Sequence, residues 1–165
     1  GVMSQALSMI QKYASRGIII DTNILLLYFV GELNQERIAR FKRTRQFTVI
    51  DYERLCEFLE NFSRIVTTPN ILTEVSNLIH QLGEPDRSTC YALLANKVEV
   101  LHESYVQSQN VASTDWMFLE YGLTDCGIAK LAKQSYLVLT DDLKATSCFL
   151  SQGVDVLSFN HLREA

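Results

Sequence analysis

The residues of this chain best suited to chemistry are acidic. Asp21 directly follows the run Ile18-Ile19-Ile20, and the segment Tyr136 to Leu139 ends on Thr140-Asp141-Asp142. Glu74 sits one helical turn into the helix that follows the segment Arg64 to Thr68, which Pro69 stops, and Asp125 stands just after Gly122 and Leu123. If the apolar runs are adjacent strands of an open parallel sheet, all of these acids lie at or near the carboxyl ends of the strands, where such sheets gather their function. Carboxylates that converge there cannot all stay ionised unless a cation neutralises them. All-oxygen ligands select Mg²⁺ or Mn²⁺. Such ions suit phosphate substrates, turn water into a nucleophile and stabilise a leaving oxygen, so the implied reaction is phosphodiester hydrolysis. Taken one at a time, Asp21, Asp125 and Asp142 are equally the residue type that caps helices and forms turns. Glu74 would also suit an outward helix face. The convergence of four acids at one edge favours a site.

Other chemistry is poorly represented. There is no Gly-x-Ser-x-Gly, no Gly-x-Gly-x-x-Gly, no phosphate-binding loop of the Gly-Lys-Ser/Thr type and no Cys-x-x-Cys. His80, His102 and His161 are far apart, and none falls at an expected strand end, so none is assigned as a general base. Arg37, Arg40, Lys42, Arg43 and Arg45 place five positive charges within nine residues. They could track a phosphate backbone or simply form a solvated helix face. Lys130, Lys133 and Lys144 are weaker phosphate candidates. Trp116, Phe118 and Tyr121 could stack on bases, or belong to the core or a partner interface.

The elements that must position these residues follow from the apolar periodicity. The chain has 165 residues, 47% hydrophobic and 21% charged, with a net charge of −4, which describes one ordinary globular domain with no whole-chain bias toward nucleic acid or anionic membrane. The four cysteines, Cys56, Cys90, Cys126 and Cys148, are read as reduced and mostly buried thiols. No secretory leader is expected, and the apolar run Ile18 to Val30 is too short and too interrupted to span a bilayer. These features point to a cytoplasmic protein without membrane contact. A short leading helix is expected at about 4–14 and strands at Ile18 to Ile20, Arg64 to Thr68, Val98 to Leu101, Tyr136 to Leu139 and Val154 to Leu157. Helices are expected at Ile24 to Val30, ended by Gly31, and over 34–46. Further helices run from an Asp51 cap to Phe62 and from an Asn70 cap to Leu82. The remaining helices are at about 86–96, two over 103–121, one from Thr124 or Asp125 to Lys133, and 143–151. Alternating strands and helices imply an α/β fold, a single domain over 1–165 with its core at about 17–160. Its sheet would have four or five parallel strands flanked by helices on both faces.

Four segments together resemble the PIN domain family of metal-dependent ribonucleases. They are Ile18-Ile19-Ile20-Asp21-Thr22-Asn23, Thr68-Pro69-Asn70-Ile71-Leu72-Thr73-Glu74-Val75, Gly122-Leu123-Thr124-Asp125-Cys126-Gly127-Ile128-Ala129 and Tyr136-Leu137-Val138-Leu139-Thr140-Asp141-Asp142. Their order and spacing agree over about Ile18 to Leu157. The resemblance implies Mg²⁺- or Mn²⁺-dependent cleavage of single-stranded RNA by a quartet of Asp21, Glu74, Asp125 and Asp142. Asp142 matches the family's last acid better than Asp141, which remains a stand-in ligand. Thr22, Asn23 and Thr140 would orient the carboxylates from behind. Arg37, Arg40, Lys42, Arg43 and Arg45 are the RNA-binding candidates. The chain differs from compact toxin members of the family in the 17 residues before its first strand and in the helical material between Gly31 and Arg64. Two other readings stay open: the toxin of a toxin–antitoxin pair, with an antitoxin as partner, and a PIN-like module that binds RNA or protein without cleaving. A second copy of the chain, met through the leading helix, is a further partner the family allows.

Overall fold

Short runs of β-branched and aliphatic residues, apolar on both sides, form strands only where helices cover both sheet faces. The computed structural model describes residues 1–164; of Val2 only the backbone is described, and Ala165, within the domain range drawn above, lies outside the described residues. The strands are β1 (Ile18–Ile20), β2 (Ile65–Thr67), β3 (His102–Glu103), β4 (Leu137–Thr140) and β5 (Val156–Ser158). They form one sheet in the order β3-β2-β1-β4-β5, and every neighbouring pair is parallel. Ile18, Ile19, Ile20, Leu137, Val138 and Leu139 are all fully buried, so β1 and β4 form the centre of the core.

The helices among the described residues are α1 (Val2–Tyr13), α2 (Thr22–Leu33), α3 (Arg37–Arg40), α4 (Val49–Leu59), α5 (Pro69–Ile79), α6 (Asp86–Lys97), α7 (Trp116–Ala132), α8 (Leu143–Ser151) and α9 (Phe159–Glu164). None of them is long and apolar enough to cross a membrane. The α/β fold, with five parallel strands flanked by helices, matches the expected class. From β1 the chain moves outward to β2 and β3, then returns to lay β4 on the other side of β1. That reversal opens a crevice at the carboxyl ends of β1 and β4, the place where open α/β sheets hold ligands.

Two of the expected elements, β1 and α8, fall on the observed residues, and several others are corrected. The basic segment 34–46 is not one helix: only Arg37–Arg40 is helical. Thr44 is buried and donates to the Ile38 carbonyl at 2.8 Å, which, with Phe41 and Phe47 buried on either side, holds the segment in turns. The cap of α4 is Thr48, not Asp51; Asp51 lies at the third helical position and accepts from the Thr48 N–H at 2.9 Å, completing a capping box. Likewise Thr68, not Asn70, caps α5, with Pro69 in the first turn, and α5 ends at Ile79 rather than Leu82. The expected strand Val98 to Leu101 is a turn that continues α6, and pairing begins only at His102, on an exposed edge. In place of two helices over 103–121 the chain forms β3, a 3₁₀ turn (Ser108–Asn110) and the first part of α7. Residues 159–164, for which no helix was expected, form α9. Its Arg163 reaches the Asp51 carboxylate at 2.5 Å.

Gly31 does not end α2, which continues to Leu33. A Cβ there would stand 2.2 Å from the Tyr52 ring of α4, so glycine lets α2 and α4 pack closely. Gly31→Ala is expected to lower stability by about 1–3 kcal/mol, the usual cost of overpacking. Urea denaturation checks this, and an unchanged midpoint would contradict it.

The leading helix is tied to the far side of the sheet. Tyr13 donates to Asp155 at 2.5 Å and Lys12 pairs with the same carboxylate at 2.8 Å. These two partners hold the Asp155 carboxyl below its ordinary pKa. Met3 and Leu7 remain exposed on α1. All four cysteines are free; Cys90 and Cys148 are buried, Cys56 and Cys126 half-buried.

Candidate functional site

Asp21 is the last residue before α2, and its extended backbone (φ −74°, ψ 176°) turns its carboxyl back over the helix start. Its Oδ1 accepts from the Ile24 N–H at 3.3 Å. Asp142 plays the same part for α8: its Oδ1 accepts from Lys144 N–H at 2.8 Å and Ala145 N–H at 3.2 Å. Both are therefore helix caps, and each also presents its carboxyl beyond the end of a central strand. The partial positive charge of a helix N-terminus favours a carboxylate in that position.

Thr140, the last residue of β4, is fully buried and joins the two acids. Its hydroxyl donates to Asp21 Oδ2 and accepts from the Asp142 N–H at 3.1 Å. One hydroxyl thus fixes an acid on each of the two central strands. Thr140→Val keeps the shape and removes both bonds. Loss of such an outer partner is expected to weaken divalent-cation affinity about 10–100-fold. Titration calorimetry with Mn²⁺ checks this, and an unchanged affinity would contradict it.

Glu74 arrives from α5 and is held by two hydroxyls. Thr22, in the first turn of α2, donates to Oε1 at 3.2 Å, and Thr124 of α7 donates to Oε2. Three helices are thereby joined at one carboxylate. Thr124 was expected only to open a helix; its adjacency to Asp125 is the sequence signal for this contact. Asp125 owes its position to Gly122, which interrupts α7 with φ +81° and ψ −172°, a conformation open almost only to glycine. The break sets the segment carrying Thr124 and Asp125 on a new axis.

The four acids line one cleft of about 370 Å³, together with Thr22, Asn23, Asn77 and Leu78. Among the described residues no Lys, Arg or His lines it. The electrostatic consequence is clear in two of the acids. Burial first, then the nearby Asp141 and Asp125 charges, push Asp21 up to about 8, although the bonds from Thr140 and Ile24 pull it down. Burial, then Asp142 and Glu74, raise Asp125 to about 6. Asp141 does not line the cleft. Its Oδ1 is buried without a hydrogen-bond partner, and burial raises its pKa while the neighbouring Asn23 amide lowers it.

The donor set is entirely oxygen, which fits a hard divalent ion. Among the described residues no three His, Cys, Asp or Glu side chains stand close enough to form a ready-made cage.

The remaining candidates lie outside the cleft. Arg43 donates to Gln81 at 2.8 Å, just past the end of α5, the helix that carries Glu74, Asn77 and Leu78. Arg37 is held by Asp86 at 3.0 Å, while Arg40, Lys42 and Arg45 are exposed. Trp116 is 64% exposed, and Tyr121 has the Lys144 ammonium 5.7 Å from its ring centre. Lys144 also pairs with Glu120 at 2.5 Å. No family model and no curated protein matches this chain.

Proposed function

We propose that this chain is an Mg²⁺- or Mn²⁺-dependent endoribonuclease of the PIN kind, acting on single-stranded RNA. The observation that carries the reading is the convergence of Asp21, Glu74, Asp125 and Asp142 on one cleft at the crevice between β1 and β4. Asp21, Asp125 and Asp142 would share the ion, one or two of them directly and the rest through its water shell, with Glu74 of the same cleft helping to orient that water. When bound, the ion activates water for attack on phosphorus and neutralises charge on the departing oxygen. Thr140 keeps Asp21 and the backbone of Asp142 in register. Thr22 and Thr124 fix both oxygens of Glu74, so it cannot turn away from the cleft. Crowded carboxylates repel phosphate, so the cleft takes a phosphodiester only with a cation present. Arg43, tied to Gln81 just past the end of α5, and the exposed Arg40, Lys42 and Arg45 are the candidates for contact with the RNA backbone.

A labelled single-stranded RNA incubated with Mn²⁺ tests the reading, with an EDTA control. Cleavage that needs Mn²⁺ supports it. Cleavage that persists in EDTA contradicts it, and RNA binding without cleavage favours a binding module instead.

A further inference from the structure

A second cavity lies on the other side of α7. It measures about 440 Å³ and shares no lining residue with the acidic cleft. The helix divides the two: Asp125 lines the cleft, whereas Cys126, Ala129, Lys130 and Lys133, spaced along one stripe, line the cavity. Its opposite wall comes from the turn after the 3₁₀ segment and from Met117 and Phe118 at the start of α7, with Gln152 of the α8 end alongside. The volume falls in the range of small-molecule sites, about 300–1,000 Å³, which combine an apolar body with a few polar groups.

The lining is asymmetric in charge. Lys130 and Lys133 contribute two ammonium groups against one carboxylate, Asp115. That carboxylate is already engaged, accepting from the Met117 N–H at 3.3 Å. Lys130 reaches the Asn110 carbonyl at 2.7 Å and so closes one side of the mouth. Among the described residues Lys133 makes no ion pair and is exposed, so its ammonium is free for an anion. Phe118 offers a surface for a flat ring beside Met117, whose sulfur accepts from the Gln152 amide at 2.7 Å; the Gln152 amide oxygen can accept from a ring edge, and the Asn110 amide can donate to it or accept from it.

We propose that this cavity binds a nucleotide, its base against Phe118 and Met117 and its phosphate on Lys133. The nucleotide is either a free monophosphate or one unit of a bound RNA strand; the strand form rests on the nuclease reading, and the free form does not. Base stacking on an aromatic side chain and a phosphate on a lysine are the two contacts by which sequence-tolerant sites hold single nucleotides.

Calorimetry with adenosine 5′-monophosphate in EDTA tests this, since chelation removes any cation-dependent binding in the acidic cleft. One-to-one binding is expected, weaker for adenosine, and weakened about tenfold or more in Lys133→Glu, the loss of one charged contact. Lys133 is exposed, and circular dichroism verifies that the variant is folded. Binding by Asp125→Asn should equal that of the wild type. A short RNA whose affinity also falls in Lys133→Glu identifies a nucleotide of a strand; an RNA affinity that does not change while the monophosphate is lost identifies a free nucleotide. No binding at millimolar monophosphate, binding indifferent to Lys133→Glu, or binding lost in Asp125→Asn would each overturn the proposal. None of these results depends on cleavage, so failure here leaves the nuclease reading standing, and an inactive protein that binds the monophosphate leaves this proposal standing.

Discussion

Asp21→Asn is expected to abolish Mn²⁺-dependent RNA cleavage while leaving the fold intact. The amide oxygen of Asn can still accept from the Ile24 N–H that Asp21 Oδ1 caps, so α2 keeps its start. What the variant loses is the negative charge at the end of β1. Losing an outer hydrogen-bond partner of a metal site costs about 10–100-fold, and losing a carboxylate that meets the ion directly should exceed that. Circular dichroism and a cleavage time course, run together, separate the two effects. A folded variant that retains Mn²⁺-dependent cleavage would contradict the assignment of Asp21. The variant should also be more stable than the cation-free wild type above about pH 4, increasingly so up to about pH 8, because it no longer has a buried carboxyl that must take up a proton on folding.

The second large effect is a pH-dependent response to cations. Asp21 titrates at 3.8 as an isolated group and at about 8 in the folded chain. Between these values the unfolded chain binds fewer protons than the folded one, so stability falls as pH rises through this window. Asp125, raised to about 6, acts in the same direction over the lower part of it. A divalent ion takes the place of the missing protons. It should therefore stabilise the protein strongly at pH 8 and hardly at all at pH 5, where both carboxyls are protonated. At a hundredfold excess over its dissociation constant an ion contributes about 2.7 kcal/mol. For a domain of this size each kcal/mol moves Tm by about 2–4 °C. A Tm increase of about 5–10 °C from Mn²⁺ at pH 8, with little change at pH 5, is expected from thermal melts. Equal shifts at the two pH values, or none at pH 8, would contradict this account of the cleft.

The centre of the fold and the acids were the most legible parts of the sequence, because burial and chemistry leave strong signals there. Ile18-Ile19-Ile20 is uniformly apolar and forms β1 over the same residues, and the acids at the ends of β1 and β4 meet in one cleft. Elements held by tertiary contacts were less legible. β3 pairs through its backbone on an exposed edge and carries the polar pair His102-Glu103, so it has no apolar run to betray it. α9 depends on the distant Arg163–Asp51 contact. The segment 34–46 has helical periodicity in its charges, but the buried Thr44 bond to Ile38 holds it in turns. Thr48-x-x-Asp51 is a capping-box signature, and Thr68-Pro69 places the cap before the proline. The capping reading of Asp21 and Asp142 holds in the structure, since one oxygen of each caps a helix, and both residues also line the cleft.

The most direct test of the central claim is a crystal soaked in Mn²⁺ at pH 8, with the ion located by its anomalous scattering. The account predicts a peak in the cleft within bonding distance of Asp21 and at least one of Asp125 and Asp142. A well-ordered crystal with Mn²⁺ bound elsewhere and no peak among these carboxylates would contradict it.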